Sequence, residues 1–168
     1  SFLTRKRYTA GRNLSVLRVG DPVYLDTNAE IQRALVATLA GQQWLGVVVA
    51  LYNGNGRPLV NTIPPVLAAS TTGYADVLED PFVVYTVNCS VSIGPESVGR
   101  FANILYVNTN TAQGISSVSL ADDFTATSIG HPLKVIGIAP NEWPQDNVAV
   151  SGAANNDVEV IITQHVMT

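Results

Sequence analysis

Three groups of side chains in this sequence have the types that acid–base, nucleophilic or metal chemistry requires. Asp76, Glu79 and Asp80 fall within five positions, and Asp122 and Asp123 are adjacent. Such carboxylates can ligate a hard cation through oxygen or exchange a proton as general acid and base. Neither spacing matches a calcium loop, and aspartate beside a proline or a turn commonly hydrogen-bonds its own backbone, so a turn role is expected for both groups. His131 and His165 are the only histidines, 34 residues apart with no metal-ligand spacing. His131 precedes Pro132 at the start of an apolar run and reads as a turn residue. His165 shares strand register with Glu159, Ile161 and Thr163 and reads as a histidine bonded near a sheet edge. Cys89, the one cysteine, lies on the apolar face of an alternating segment, where burial suppresses the thiolate. The sequence has no Gly-x-Ser-x-Gly elbow, Walker loop, dinucleotide fingerprint or His-Glu-x-x-His pair, and Gly54-Asn55-Gly56 precedes a strand rather than the helix that phosphate cradling needs. No catalytic residue, metal site or cofactor is expected.

The chemistry that remains is charge. Arg5, Lys6, Arg7, Arg12 and Arg18 place five of the nine basic residues in the first eighteen positions, whereas all 13 acidic residues come later. A net charge of −4 argues against general binding to nucleic acid or anionic membrane, where anionic phosphates must be neutralised by clustered Lys and Arg. Phe2, Leu3, Tyr8 and Leu14 alternate with the cations, and apolar anchors beside charge suit a strap on an acidic protein partner. Residues 1–19 are therefore expected to form a basic N-terminal arm that orders against something else. Residues 20–168 form the folded body.

The elements of that body read mainly as strands. Val23-Tyr24-Leu25 follows the turn signal Gly20-Asp21-Pro22, and Gly46 to Tyr52 is a continuous β-branched run. The two Asn-Gly pairs at 53–56 predict a hairpin returning through Leu59 to Ile63 until Pro64-Pro65. Residues 82–93 alternate with period two, from Asp80-Pro81 to Gly94-Pro95. Shorter strands are predicted at Ile104–Val107, Val118–Leu120, Leu133–Ile138 and Val158–Val166, and Gly20–Leu25 and Gly46–Leu51 are candidates for neighbouring strands of one sheet. The capping-box spacing of Thr27 and Glu30, with Ile31, Leu35 and Leu39 every fourth residue and Gly41 as a stop, predicts a helix over 27–41, with a strand pair as the alternative. The polar stretches 108–114 and 146–156 are long loops of the kind that form contact surfaces.

Composition agrees. With 46% hydrophobic and 13% charged residues, 13 glycines and 9 prolines, the chain suits one turn-rich core and not a helix bundle. A single cysteine excludes an intramolecular disulfide framework. No apolar stretch approaches a membrane span or a signal segment, so a soluble protein made in a cytosol is expected. The fold class expected is all-β: a single compact β-sandwich or barrel-like domain with an extended N-terminal arm and at most one or two short helices.

The order of these blocks resembles a known family. Gly20-Asp21-Pro22-Val23-Tyr24-Leu25, Leu45-Gly46-Val47-Val48-Val49, and Tyr74-Ala75-Asp76-Val77-Leu78-Glu79-Asp80-Pro81 before a strand are similar to capsid decoration (cement) proteins of tailed bacteriophages. So are Thr125-Ala126-Thr127, Pro132 to Ile138, Asp146-Asn147, Gly152-Ala153 and the ending Val160 to His165. The resemblance spans residues 20–167 and implies a structural, non-enzymatic virion protein, made in the host cytoplasm and bound to the outer capsid surface. Its partner would be the major capsid protein, it would act as a homo-oligomer, commonly a trimer, and it would touch neither nucleic acid nor membrane. The residues expected to meet the capsid or a neighbouring subunit are Phe2, Leu3, Arg5, Lys6, Arg7, Tyr8, Arg12, Leu14 and Arg18, on the argument from charge and apolar anchors. Other readings are a head fibre base or tail tube subunit, a carbohydrate-binding β-sandwich using Trp44, Trp143, Tyr52 and Tyr106 as stacking platforms, or a hydrolase using Asp76, Glu79 and Asp80.

Overall fold

The computed structural model of the chain describes residues 5–11, 15–34, 43–59, 66–89, 93–106, 116–138 and 156–166. Thirteen strands are named in them: β1 (Arg5–Thr9), β2 (Leu17–Arg18), β3 (Pro22–Leu25), β4 (Ile31–Arg33), β5 (Gly46–Asn53), β6 (Val66–Leu67), β7 (Gly73–Leu78), β8 (Tyr85–Cys89), β9 (Phe101–Ala102), β10 (Ile104–Tyr106), β11 (Val118–Leu120), β12 (Leu133–Ile138) and β13 (Asn156–Ile162). They form a five-stranded sheet in the order β1-β7-β5-β3-β4, a six-stranded sheet in the order β10-β11-β8-β13-β12-β9, and a small β2-β6 pair. The domain is all-β and nearly closed into a barrel, as the alternation and turn density imply.

Each sheet carries one row of apolar side chains. In the six-stranded sheet Cys89, Ile104, Leu120, Leu133, Val135, Val158, Val160 and Ile162 point to one core, together with Ala34 and Trp44. In the five-stranded sheet Val23, Ile31, Val48, Leu51, Ala75 and Val77 point to a second core, closed by Ala10, Leu17, Leu45 and Leu67. Burying each such Val, Leu or Ile contributes about 1.5–3 kcal/mol. Bulges at Val49 in β5 and Ile136 in β12 reset the alternation and turn both residues outward.

The sheets are stitched along their edges. Trp44 pairs with His165 in an isolated bridge, its N–H donating to the Gln164 carbonyl (2.7 Å) and its carbonyl accepting from Val166 (2.9 Å). Tyr106 OH donates to the Ala34 carbonyl (2.7 Å), with Arg33 stacked 4.1 Å over its ring. Asp21, fully buried, accepts from the Arg18 N–H and the Ser116 hydroxyl, tying the turn before β3 to the start of β11.

Several expectations hold and several are corrected. β3 and β5 are neighbours through Pro22–Val47 and Val23–Gly46, and β11 and β12 have the predicted bounds. The helix over 27–41 does not form in its described part. Asp26 Oδ1 accepts the N–H groups of Asn28 (2.8 Å) and Glu30 (3.0 Å), Ala29 takes a left-handed φ of 58°, and the chain returns as β4 against β3. That side chain satisfies the amides a helical first turn would leave open, and it does so in a hairpin geometry. Residues 35–41 lie outside the described ones, as do the loops 108–114 and 146–155. The strand expected over 82–93 is confined to β8 where described, because Asp80 Oδ1 accepts the Phe82 N–H (2.9 Å) and holds a turn. The turn at 53–56 forms on Asn53 Oδ1, which accepts from Asn55 and Arg57, and among the described residues the returning chain meets β5 through the Tyr52–Pro58 bridge and the Asn53 N–H to Arg57 carbonyl bond (2.9 Å); β5 itself pairs with β7, and residues 60–63 of the expected return lie outside the described ones. The last strand ends at Ile162 rather than Val166.

The basic segment is also corrected. Over its described residues it is no separate arm: β1 is an edge strand of the five-stranded sheet, and Ala10 and Leu17 are fully buried in that sheet's core. The folded body therefore begins before Gly20.

Gly46 is required where β3, β5 and β7 meet. Its φ is +155°, and a Cβ there would lie 2.0 Å from the Leu78 carbonyl oxygen. Gly46→Ala should lower stability by at least about 2 kcal/mol in chemical denaturation.

Candidate functional site

The cations of β1 meet a carboxylate, Asp76, that accepts four side-chain hydrogen bonds. In the antiparallel β1–β7 register Arg7 lies opposite Asp76 and Arg5 opposite Leu78, so both arginines share a face with Asp76. Arg5 donates to Asp76 Oδ2 through Nε (3.0 Å) and Nη2 (2.6 Å), and Arg7 Nε donates to Oδ1 (2.9 Å). From β5, Tyr52 OH donates to Oδ2 (2.8 Å), and the Arg7 guanidinium stacks 3.9 Å over the Tyr52 ring. Ala50, directly across from Asp76, carries no polar side chain to compete. The Asp76 side chain is 9% exposed, while those of Arg5 and Arg7 are 52% and 50% exposed. Burial alone would raise the Asp76 carboxyl, but the hydrogen bonds from Arg7, Tyr52 and Arg5 outweigh it and hold the group below its ordinary range. One carboxylate balances two guanidiniums, so the surface retains positive charge and spare N–H donors.

Lys6 and Tyr8 point to the opposite face. Lys6 Nζ sits 5.2 Å over the Tyr8 ring, and Tyr8 OH donates a short hydrogen bond to Glu79 Oε2. Burial, and then that hydrogen bond, push the Tyr8 hydroxyl far up, so it stays a donor at every ordinary pH. Beyond Glu79 lies His165, with no exposed surface, bonded to the backbone and near the Asp80 carboxylate. Arg18 is in a different sheet, opposite Val66, with its N–H on Asp21. The structure thus brings Arg5 and Arg7 together, turns Lys6 and Tyr8 away from them, and separates Arg18. Phe2, Leu3, Arg12 and Leu14 lie outside the described residues.

The carboxylate cluster divides in the same way. Asp76 and Glu79 bond to different faces of β1, and Asp80 serves the Phe82 turn. Asp123 accepts from the Asn103 N–H (2.9 Å) and lies 3.3 Å from His131 Nε2, whose Nδ1 is 2.9 Å from the Ile129 carbonyl. Among the described residues no cluster of three or more His, Cys, Asp or Glu side chains is placed to hold a metal ion. Cys89 is fully buried, and Trp44 is 1% exposed, so it offers no stacking platform; Trp143 lies outside the described residues. Sequence reasoning misses Tyr52 as a partner of this site. Its parity in β5, three residues past the bulge at Val49, cannot be read from an uninterrupted apolar run. Sequence reasoning also gives Asp21 a turn role alone.

A second feature is a cavity of about 140 Å³ between the sheets, with Trp44, Ile104 and Val160 among its buried lining residues and Val47, Val87 and Val118 among its half-buried ones.

A scan against protein-family models and a search of curated proteins return no match to this chain.

These environments imply two titrations. Because Asp76 is more acidic folded than unfolded, its contribution is present above its ordinary value of 3.8 and lost as the pH falls through the folded value. Asp76→Asn should cost about 1–3 kcal/mol at neutral pH and flatten the acid limb of the stability curve. Burial lowers His165 below its ordinary 6.5, so folding favours the neutral ring and stability is lost as the pH falls through 6.5 towards the folded value. His165→Gln should remove the slope in chemical denaturation midpoints between about pH 7 and pH 5.

Proposed function

We propose that the chain is a decoration, or cement, protein of a tailed-phage capsid. On this reading it binds the outer surface of the head where capsomers meet, bridges neighbouring copies of the major capsid protein and resists the internal pressure of DNA. The observation that carries the reading is how the chemistry-bearing groups are used. Asp76 and Glu79 bond strands together, Asp80 builds a turn and His165 is buried in the core, while the β1 guanidiniums stay half exposed on a rigid sheet. Such a surface suits repeated shallow contacts, each weak, that symmetry multiplies into avidity. The order of sequence blocks over residues 20–167 supports the same reading. The burial of Trp44 weighs against the carbohydrate-binding alternative.

Removing residues 1–18 is not a clean test of the basic segment, since Ala10 and Leu17 belong to the core. Lys6→Glu is cleaner, because Lys6 is exposed and outside the Asp76 network. Electron microscopy of intact heads should show the protein at capsomer junctions in many copies, and Lys6→Glu should lower its occupancy several-fold at low salt. Density confined to the tail or to one vertex refutes the proposal.

A further inference from the structure

The sequence's only two Asn-Gly pairs, Asn53-Gly54 and Asn55-Gly56, stand in succession in the turn that follows β5. An asparagine amide followed by glycine is open to attack by the next backbone nitrogen, because chain connectivity makes the reaction intramolecular and glycine has no Cβ to obstruct it. The turn treats the two pairs differently. Asn53 is held: its Oδ1 accepts the N–H groups of Asn55 (3.0 Å) and Arg57 (2.9 Å), its own N–H donates to the Arg57 carbonyl (2.9 Å), and it pairs with Gly73 of β7. Gly54 is crowded as well, since a Cβ there would lie 3.2 Å from the Thr72 carbonyl oxygen.

Asn55 is exposed, and among the described residues its side-chain amide has no hydrogen-bond partner. Gly56 has a left-handed φ of +76° and open space on the side where a Cβ would stand. One bond restrains the reacting nitrogen, from the Gly56 N–H to the Asn53 carbonyl (2.9 Å). In an exposed turn such a bond opens to water far more readily than a strand ladder does.

We propose that Asn55 is a site of spontaneous deamidation, and that the bonds on Asn53 confine the reaction to it. Hydroxide removes the Gly56 N–H proton, and the nitrogen attacks Asn55 Cγ. The N–Cγ bond forms, the Cγ–Nδ2 bond breaks, and the leaving nitrogen takes a proton from water and departs as ammonia. One water molecule then opens the succinimide ring, at the side-chain carbonyl to give aspartate or at the backbone carbonyl to give isoaspartate. Nothing is oxidised; one water is consumed and one ammonia released. Either product adds a negative charge close to Arg57 in the chain, and isoaspartate also lengthens the main chain by one carbon inside the turn that the Gly56–Asn53 bond closes. The reaction is the chain's own chemistry and does not depend on the capsid reading.

Mass-spectrometric peptide mapping of the folded full chain, aged in mildly alkaline buffer and fragmented so that aspartate and isoaspartate are told apart, should show both products at position 55. They should accumulate there at least about tenfold faster than at position 53, the factor that two ordinary hydrogen bonds supply. In the urea-unfolded chain the bonds on Asn53 are gone, and the two positions should convert at similar rates. Asn55→Gln, whose longer side chain must close a larger ring, should stop conversion at that position over the same period. An Asn55 that keeps its amide overturns the proposal, as does conversion of Asn53 as fast as Asn55 in the folded chain or an Asn53 still spared in the unfolded one. Equal ammonia loss from Asn55→Gln means direct hydrolysis by water rather than ring closure and overturns it too.

Discussion

Asp76 sits in the middle of β7 with its side chain nine-tenths buried, where an unpaired carboxylate would cost several kcal/mol. Its partners come from two strands: Arg5 and Arg7 from β1, Tyr52 from β5. β1 has little else to fix it, because four of its five residues are exposed and hydrophobic burial cannot choose its register. A slip of one residue would carry both arginines to the other face and leave the carboxylate without its cations. The same slip would remove Tyr8 from Glu79. The register of the edge strand is thus set by polar bonds on both of its faces.

The residues after β1 depend on that register. Ala10 N–H donates to the Gly73 carbonyl at 3.0 Å, one step beyond the β1–β7 ladder, and enters the core of the five-stranded sheet with Leu17. Leu17 then pairs with Leu67 in the small β2-β6 sheet, and both belong to that same core. The basic segment therefore does two jobs with alternating residues: its cations organise one face of a strand, and the apolar residues after it close a core.

The strands of the body are legible in the sequence because they are short β-branched runs bounded by turn residues, as in β5, β11 and β12. The departures have particular causes. β1 is hidden because its alternation is between arginines bonded to a carboxylate and a lysine–tyrosine pair, and neither row is apolar. The β4 region reads as helix because Thr27 and Glu30 have capping-box spacing, whereas Asp26 captures the same amides first. β8 reads too long because Val83 continues the apolar face of Tyr85, Val87 and Cys89 into a turn that Asp80 holds. In each case a side chain bonded to nearby backbone or to a distant charge overrides a pattern that counts only hydrophobicity. Of the candidate site, the cations are legible; their acceptor is visible but reads as part of a turn, since a single sequence does not show which strand will lie beside β1.

Strand geometry also explains why the carboxylates that first suggest chemistry do not act as one group. Asp76 and Glu79 are three residues apart, a spacing that places two side chains on one face of a helix but on opposite faces of an extended chain. As β7 leads into Glu79 without a bulge, Asp76 meets Arg5 and Arg7, and Glu79 meets Tyr8. The parity that assigns the acids also assigns the bases of β1, odd-numbered residues to Asp76 and the even-numbered Tyr8 to Glu79. Charge that the sequence divides between its first eighteen residues and the remainder is accordingly divided in space by face: two guanidiniums share one carboxylate on one side of the sheet, and a neutral phenol meets a carboxylate on the other. On the first side the two guanidiniums exceed their one carboxylate, and on the other Lys6 stands exposed beside the Tyr8 ring.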